Sequence, residues 1–89
     1  MNREVILVTA TWCTTCKIML DWFFTLEIPG VVFKTCDVED PEVAGHVISS
    51  VPLLLFVENG VLVMDSYGLV DKHQFKHMLF SLWPDLESQ

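Results

Sequence analysis

Residues 4–16 read EVILVTATWCTTC, and this stretch decides the fold. Its first part, Glu4–Ala10, is almost continuously apolar, with four β-branched residues among seven. Such a run suits a short central strand buried on both faces. Thr11–Thr15 is a polar break. From Cys16 to about Glu27 the pattern turns helical: Ile18, Leu20, Trp22, Phe23, Phe24 and Leu26 cluster within the length of an ordinary helix. Three of these aromatics are consecutive, so they cannot all face one core. A buried strand therefore hands over to a helix at Trp12-Cys13-Thr14-Thr15-Cys16.

Two thiols at this spacing can close a disulfide across one turn, and their positions separate their roles. Cys13 is expected at the helix start, exposed to partners. Its thiolate would face unpaired backbone N–H groups and the positive end of the helix dipole. Both effects lower a thiol pKa below the unperturbed value of about 8.5. Cys16 is expected one turn inside the helix and shielded. This arrangement implies dithiol exchange. Cys13 attacks a substrate disulfide to form a mixed disulfide, and Cys16 then attacks the Cys13 sulfur and releases the reduced substrate.

Outward from this stretch, Pro29-Gly30 turns the chain, and Val31–Asp37 (VVFKTCD) reads as a second strand. Asp40-Pro41 can start a short helix through Ile48. Leu53–Glu58 (LLLFVE) is a third strand. Asn59-Gly60 is a strong hairpin signal and pairs it with a fourth, Val61–Tyr67. Gly68 interrupts. Asp71 can cap a last amphipathic helix over Lys72–Trp83, which Pro84 stops. The order is β-α-β-α-β-β-α: an α/β fold with a four-stranded mixed sheet and helices on both faces. No linker, repeat or low-complexity segment divides the chain, so residues 1–89 read as a single domain.

Several separated positions together resemble the thioredoxin family, and the likeness spans nearly the whole chain. A strand followed by WCTTC is similar to the family's Trp-Cys-x-x-Cys. Ser50-Val51-Pro52 followed by LLLFVENG resembles its sequence of Pro, apolar strand and Asn-Gly turn. Gly68 stands where a family glycine ends the last strand. The N-terminal strand and helix of full-length thioredoxins have no counterpart, and the size is closer to a glutaredoxin. The fold implied is the minimal thioredoxin fold. The resemblance also implies a redox disulfide between Cys13 and Cys16, with no cofactor. It implies a cis peptide before Pro52 and substrate docking on Trp12, Val51, Pro52 and Gly68, the Val51 backbone pairing with an extended segment. The partners implied are disulfide-containing proteins, ribonucleotide reductase among them. The reductant implied is a thioredoxin reductase or the glutathione system. Two departures stand out. Thr14-Thr15 replaces the Gly-Pro usual between thioredoxin cysteines, a pair that tunes thiol pKa and potential. Leu7 aligns with the family's buried Asp, so proton transfer at Cys16 must use water or another group.

Composition narrows the alternatives. Of 89 residues, 52% are hydrophobic, which excludes a disordered chain. The formal net charge of −7 argues against a nucleic-acid partner, whose phosphates require Lys and Arg. No run approaches the roughly 18 apolar residues of a membrane helix, and no signal peptide is legible after Arg3, so a cytoplasmic monomer is the expectation. There, two close cysteines point to catalysis or metal. A zinc reading needs two further ligands, for which Cys36, His46, His73 and His77 are the candidates. His73 and His77 share a helical face, but no third ligand lies near them in sequence, so no metal site is expected. Cys36, mid-strand, reads as a small buried hydrophobe. The remaining alternatives are a glutathione-dependent, glutaredoxin-like reductase and a redox-inactive binding module built on the same fold.

Overall fold

The computed structural model describes residues 2–40 and 50–87. Strand β1 (Arg3–Thr9) leads to helix α1 (Thr14–Phe23) and strand β2 (Val31–Asp37). Strands β3 (Leu53–Glu58) and β4 (Val61–Tyr67) follow. Helix α2 (Lys72–Leu82) and a 3-10 turn over Pro84–Leu86 end the described chain. The second helix read from Asp40-Pro41 through Ile48, with His46 on it, lies outside the described residues.

The four strands form one sheet in the order β2-β1-β3-β4. β1 runs parallel to β2 and antiparallel to β3, and β3 runs antiparallel to β4. β1 is thus flanked on both edges, and its middle, Val5–Val8, is continuously apolar because its side chains enter a buried cluster on each face of the sheet. Side chains alternate across a strand. Val5 and Leu7 of β1 therefore join Leu54 and Phe56 of β3 on one face, while Val8 joins Leu53 and Leu55 on the other.

The first face carries the larger core. Met19 and Phe23 of α1 and Phe75 and Leu79 of α2 pack on it, closed by Trp83 and Leu86. Both described helices therefore lie on this one face. Phe75 is the hub: its ring stacks on Phe56 at 5.9 Å and meets Trp22, Phe23 and Phe33 at 5.3, 6.3 and 6.2 Å. Each such side chain, fully buried, contributes roughly 1.5–3 kcal/mol, and each well-placed aromatic pair about 0.5–1.5 kcal/mol more. The aromatic triplet divides as its spacing required. Phe23 is buried, Trp22 is half-buried and Phe24 faces solvent. The Trp22 indole N–H is buried without a hydrogen-bond partner.

Local chemistry sets the boundaries. Asn59 and Gly60 both take positive φ, 52° and 80°, as a two-residue hairpin loop requires. Asp71 caps α2 through the Gln74 amide at 2.7 Å, and the Gln74 side chain accepts from the Asp71 N–H at 3.0 Å. Helix α1 starts earlier and stops earlier than its apolar pattern suggests. It stops because the Trp22 carbonyl accepts from the Thr25 N–H at 3.0 Å and the Thr25 hydroxyl at 2.6 Å. These local bonds take the carbonyl that the next helical turn would use.

Candidate functional site

The site forms where β1 ends. The Cys13 N–H donates to the Ala10 carbonyl at 3.1 Å, turning the chain off the strand. Cys13 itself is extended, with φ −93° and ψ 108°, and is the N-cap of α1. Its sulfur accepts from the Cys16 backbone N–H at 3.2 Å. That cap is why the helix begins at Thr14 and not at Cys16: sulfur supplies the acceptor that Ser or Asp supplies elsewhere. Cys13 and Cys16 are joined by a disulfide, with their Cα atoms 5.3 Å apart.

Burial corrects one expectation. Cys16 is shielded, at 1% exposure, but Cys13 is also largely covered, at 5%. Both pack in a small cluster with Ala10, Val38 and Val51. The cover comes from the ends of neighbouring strands. The parallel register brings Asp37 beside Thr9, and the Val38 N–H then donates to the Thr9 carbonyl at 2.8 Å. The residue after β2 is thereby held over the residues after β1. Val38 and Ala10 belong to the site and were not singled out in the sequence; matching the ends of two parallel strands was the signal that could have found them.

The remaining residues lie around this cluster. Val51 packs against the cysteines, half-buried, and the bond from Val51 to the buried Pro52 is cis. The Gly68 N–H donates to the Pro52 carbonyl at 2.9 Å, and Gly68 takes a φ of +98°. Residues sixteen positions apart are thus tied together by the β3–β4 pairing. Trp12 stands apart, 76% exposed, over a cleft of about 200 Å³ that Ala10, Thr11, Asp37, Val38 and Glu39 also line. A larger cavity of about 540 Å³ lies at the other end of α1, along Leu26–Pro29, Val31 and Phe33, and touches neither cysteine.

Leu7 is fully buried within the main core. Among the described residues the one buried charged side chain is Arg3, at the opposite end of β1, so no buried carboxylate serves the disulfide there. Cys36 is buried against Val8, Leu53 and Leu55 and forms no disulfide. His73 and His77 are exposed, and no group of three His, Cys, Asp or Glu side chains able to hold a metal occurs among the described residues. No described helix is long and apolar enough to cross a membrane.

No protein-family model matches the sequence, and no curated protein matches it. Solved structures do. A mutant thioredoxin from Halobacterium salinarum NRC-1 superposes with a TM-score of 0.78 at 23% identity, over 90% of this chain and 74% of that one. Thioredoxin O2 from Arabidopsis thaliana, in its oxidized state, superposes with a TM-score of 0.67 at 25% identity, over 91% of this chain and 75% of that one. The four-stranded mixed sheet with its two described helices is the thioredoxin fold. Fold and C-x-x-C disulfide together are those of a small thioredoxin-like protein.

Proposed function

We propose that this small protein of thioredoxin fold reduces protein disulfides by dithiol exchange through Cys13 and Cys16. The observation that carries the reading is the disulfide at the N-terminus of α1, packed against Val51 beside the cis Val51–Pro52 bond. In the reduced protein Cys13 keeps the helix-capping position. Its thiolate is favoured there by the Cys16 amide and the helix dipole. It attacks a substrate disulfide, expelling one substrate thiolate and forming a mixed disulfide. Cys16 loses its proton and attacks the Cys13 sulfur. The second substrate thiolate leaves, and the Cys13–Cys16 bond re-forms. Leu7 stands where the family carries a carboxylate, so the proton of Cys16 passes to water or to another group.

The low exposure of Cys13 shapes how a partner approaches. An extended substrate segment lies against Trp12, Val51, Pro52 and Gly68 and pairs with the Val51 backbone, which brings its sulfur in line with Cys13. Substrates are disulfide-bearing proteins, with ribonucleotide reductase a candidate recipient. A thioredoxin reductase or glutathione restores the dithiol. A monomer in the cytoplasm, where thiols are kept reduced, fits this role.

The test is a redox titration of the isolated protein, read by Trp12 fluorescence, with turnover of a disulfide-bonded protein substrate alongside. A potential near that of thioredoxin, about −270 mV, marks a reductant; one toward about −120 mV marks an oxidant. Cys13→Ser abolishes turnover, and Cys16→Ser accumulates mixed disulfides. Full activity in Cys13→Ser overturns the mechanism, and the absence of any reversible titration returns the chain to a binding module.

A further inference from the structure

The sheet has two outer strands, β2 and β4, and among the described residues neither has a strand on its outer side. Such an edge presents backbone N–H and C=O groups that can pair with another chain. The two edges are not equivalent. β4 exposes Val61, Leu62 and Val63, but its ladder with β3 shifts register at Phe56/Val57, and an exposed Asp65 stands in its middle. A bulge and a charge both discourage edge pairing. β2 keeps one register with β1 over all seven residues, and its central charge, Lys34, is paired with Glu4 at 3.3 Å. Beside β2, on the face that carries the helices, lie two cavities of about 540 and 190 Å³, both lined by Leu26 and Phe33. Phe24 lines the smaller one and is 72% exposed, and Val32, on the opposite face of β2, is 53% exposed.

We propose that β2 is a self-association edge: a second copy of this chain lays its β2 antiparallel to the first about a twofold axis, joining two four-stranded sheets into one of eight strands. Such a pair requires a patch complementary to itself. β2 meets the requirement with Phe33 of each copy opposite Phe33 of the other. Val31 then faces Thr35 on the groove side, and Val32 faces Lys34 on the other. Each copy brings an aromatic ring and an apolar groove to the same joint. The charges match as well. The chain carries −7 overall, which opposes self-association, but Glu4 cancels Lys34 locally and leaves the joint neutral. Glu4 is the register partner of Val32, so Glu4, Val32 and the second copy's Lys34 lie in one row across the sheet. Each lysine thus has a carboxylate of its own chain beside it and one of the other chain across Val32. Size makes the pairing reversible. A seven-residue edge runs about 23 Å and a sheet layer with a helix layer stands about 20 Å, so each copy buries about 450 Å². That is below the roughly 800 Å² per partner of a stable complex. Dilution therefore returns the monomer to which turnover is assigned. Because β2 ends beside the disulfide, antiparallel pairing sends the two disulfides to opposite ends of the assembly.

The experiment is sedimentation of the oxidised full chain from about 10 μM to about 1 mM, at low and high salt. The mass is expected to rise from one copy, 10.2 kDa, toward two and no further. It rises earlier at high salt, which screens the repulsion between like-charged copies. Val32→Lys sets a lysine opposite Lys34 twice in each dimer and weakens pairing about tenfold. Val32→Glu sets a carboxylate there and strengthens it. Phe24→Ser, at a second exposed position, weakens it through the groove, and Val63→Lys, on β4, leaves it at wild type. A single-copy mass at every concentration overturns the proposal and leaves the edge to the strand of a different protein. Equal weakening by Val32→Lys and Val32→Glu, or by Val63→Lys, overturns it as well, and so does growth beyond two copies.

Discussion

The two ends of β1 are built in opposite ways. At its start, Arg3 is only 8% exposed, and its guanidinium is held from three sides. Nε donates to Glu58 at 3.0 Å, Nη1 donates to Asp85 at 2.8 Å, and the group lies 5.1 Å from the centre of the Trp83 ring. At its finish, the polypeptide leaves the sheet through Ala10, presents Trp12 to solvent and places an exchangeable covalent bond under Val38 and Val51. One end fastens the C-terminal turn to the sheet. The other holds the disulfide under a small apolar cover of Ala10, Val38 and Val51. The same strand joins both through a buried middle: Val5 and Leu7 enter the main core and Val8 the cluster on the other face.

Substitutions between and at the two ends sharpen this contrast. The largest effect is expected between them. Phe75→Ala removes the aromatic hub and should lower unfolding free energy by about 3–5 kcal/mol. Denaturant unfolding checks the loss. In the folded fraction the redox potential should stay at the wild-type value, because Phe75 touches neither cysteine's cluster; a shifted potential would show that the core and the site are not separable.

At the disulfide end, a Cβ on Gly68 would meet open space, so Gly68→Ala is opposed by its positive φ alone. The cost is about 1–2 kcal/mol. Because Gly68 is bonded to Pro52, substrate reduction should slow along with the loss of stability. Wild-type turnover in a destabilised variant would separate Gly68 from docking.

The smallest effect is expected at the Arg3 end and appears only in acid. The Arg3 hydrogen bond holds Asp85 below the usual aspartate pKa of about 3.9. A carboxylate depressed in the folded state adds stability that is present above its unfolded value and is lost as pH falls through the folded one. Asp85→Asn should therefore flatten the fall in stability below about pH 4 while leaving the Cys13–Cys16 potential untouched. Melting midpoints across an acid pH series test this, and an unchanged acid limb would mean that the ion pair carries none of it.

Much of this molecule was legible in its residues. The bounds of β2, β3 and β4 follow from apolar runs stopped by Pro29-Gly30, Pro52, Asn59-Gly60 and Gly68, all of which act within a few residues of themselves. Cys13 and Cys16 were legible as a pair because three-residue spacing at a helix start is itself a local constraint. The end of α1 was less so. Its apolar pattern runs on to Leu26, and only the capture of the Trp22 carbonyl by Thr25 stops the helix at Phe23.

The covering of Cys13 lay beyond local reasoning. Helix capping and dipole orientation depend on backbone geometry that a dozen residues determine, and so the sequence by itself established the strand-to-helix junction, the order of the two sulfurs and the hairpin. The positions of Val38 and Val51 around those sulfurs, and of Gly68 against Pro52, were decided by strand pairing between residues as far apart as Leu53 and Tyr67, or Thr9 and Asp37. The register of β1 with β2 set Val38 over the site, and the pairing of β3 with β4 carried Gly68 to Pro52. Such contacts depend on the packing of the whole sheet, where a shift of one residue would turn every side chain to the other face. For that reason the identity of the reacting atoms could be read along the chain, while their exposure could be read only from the assembled fold.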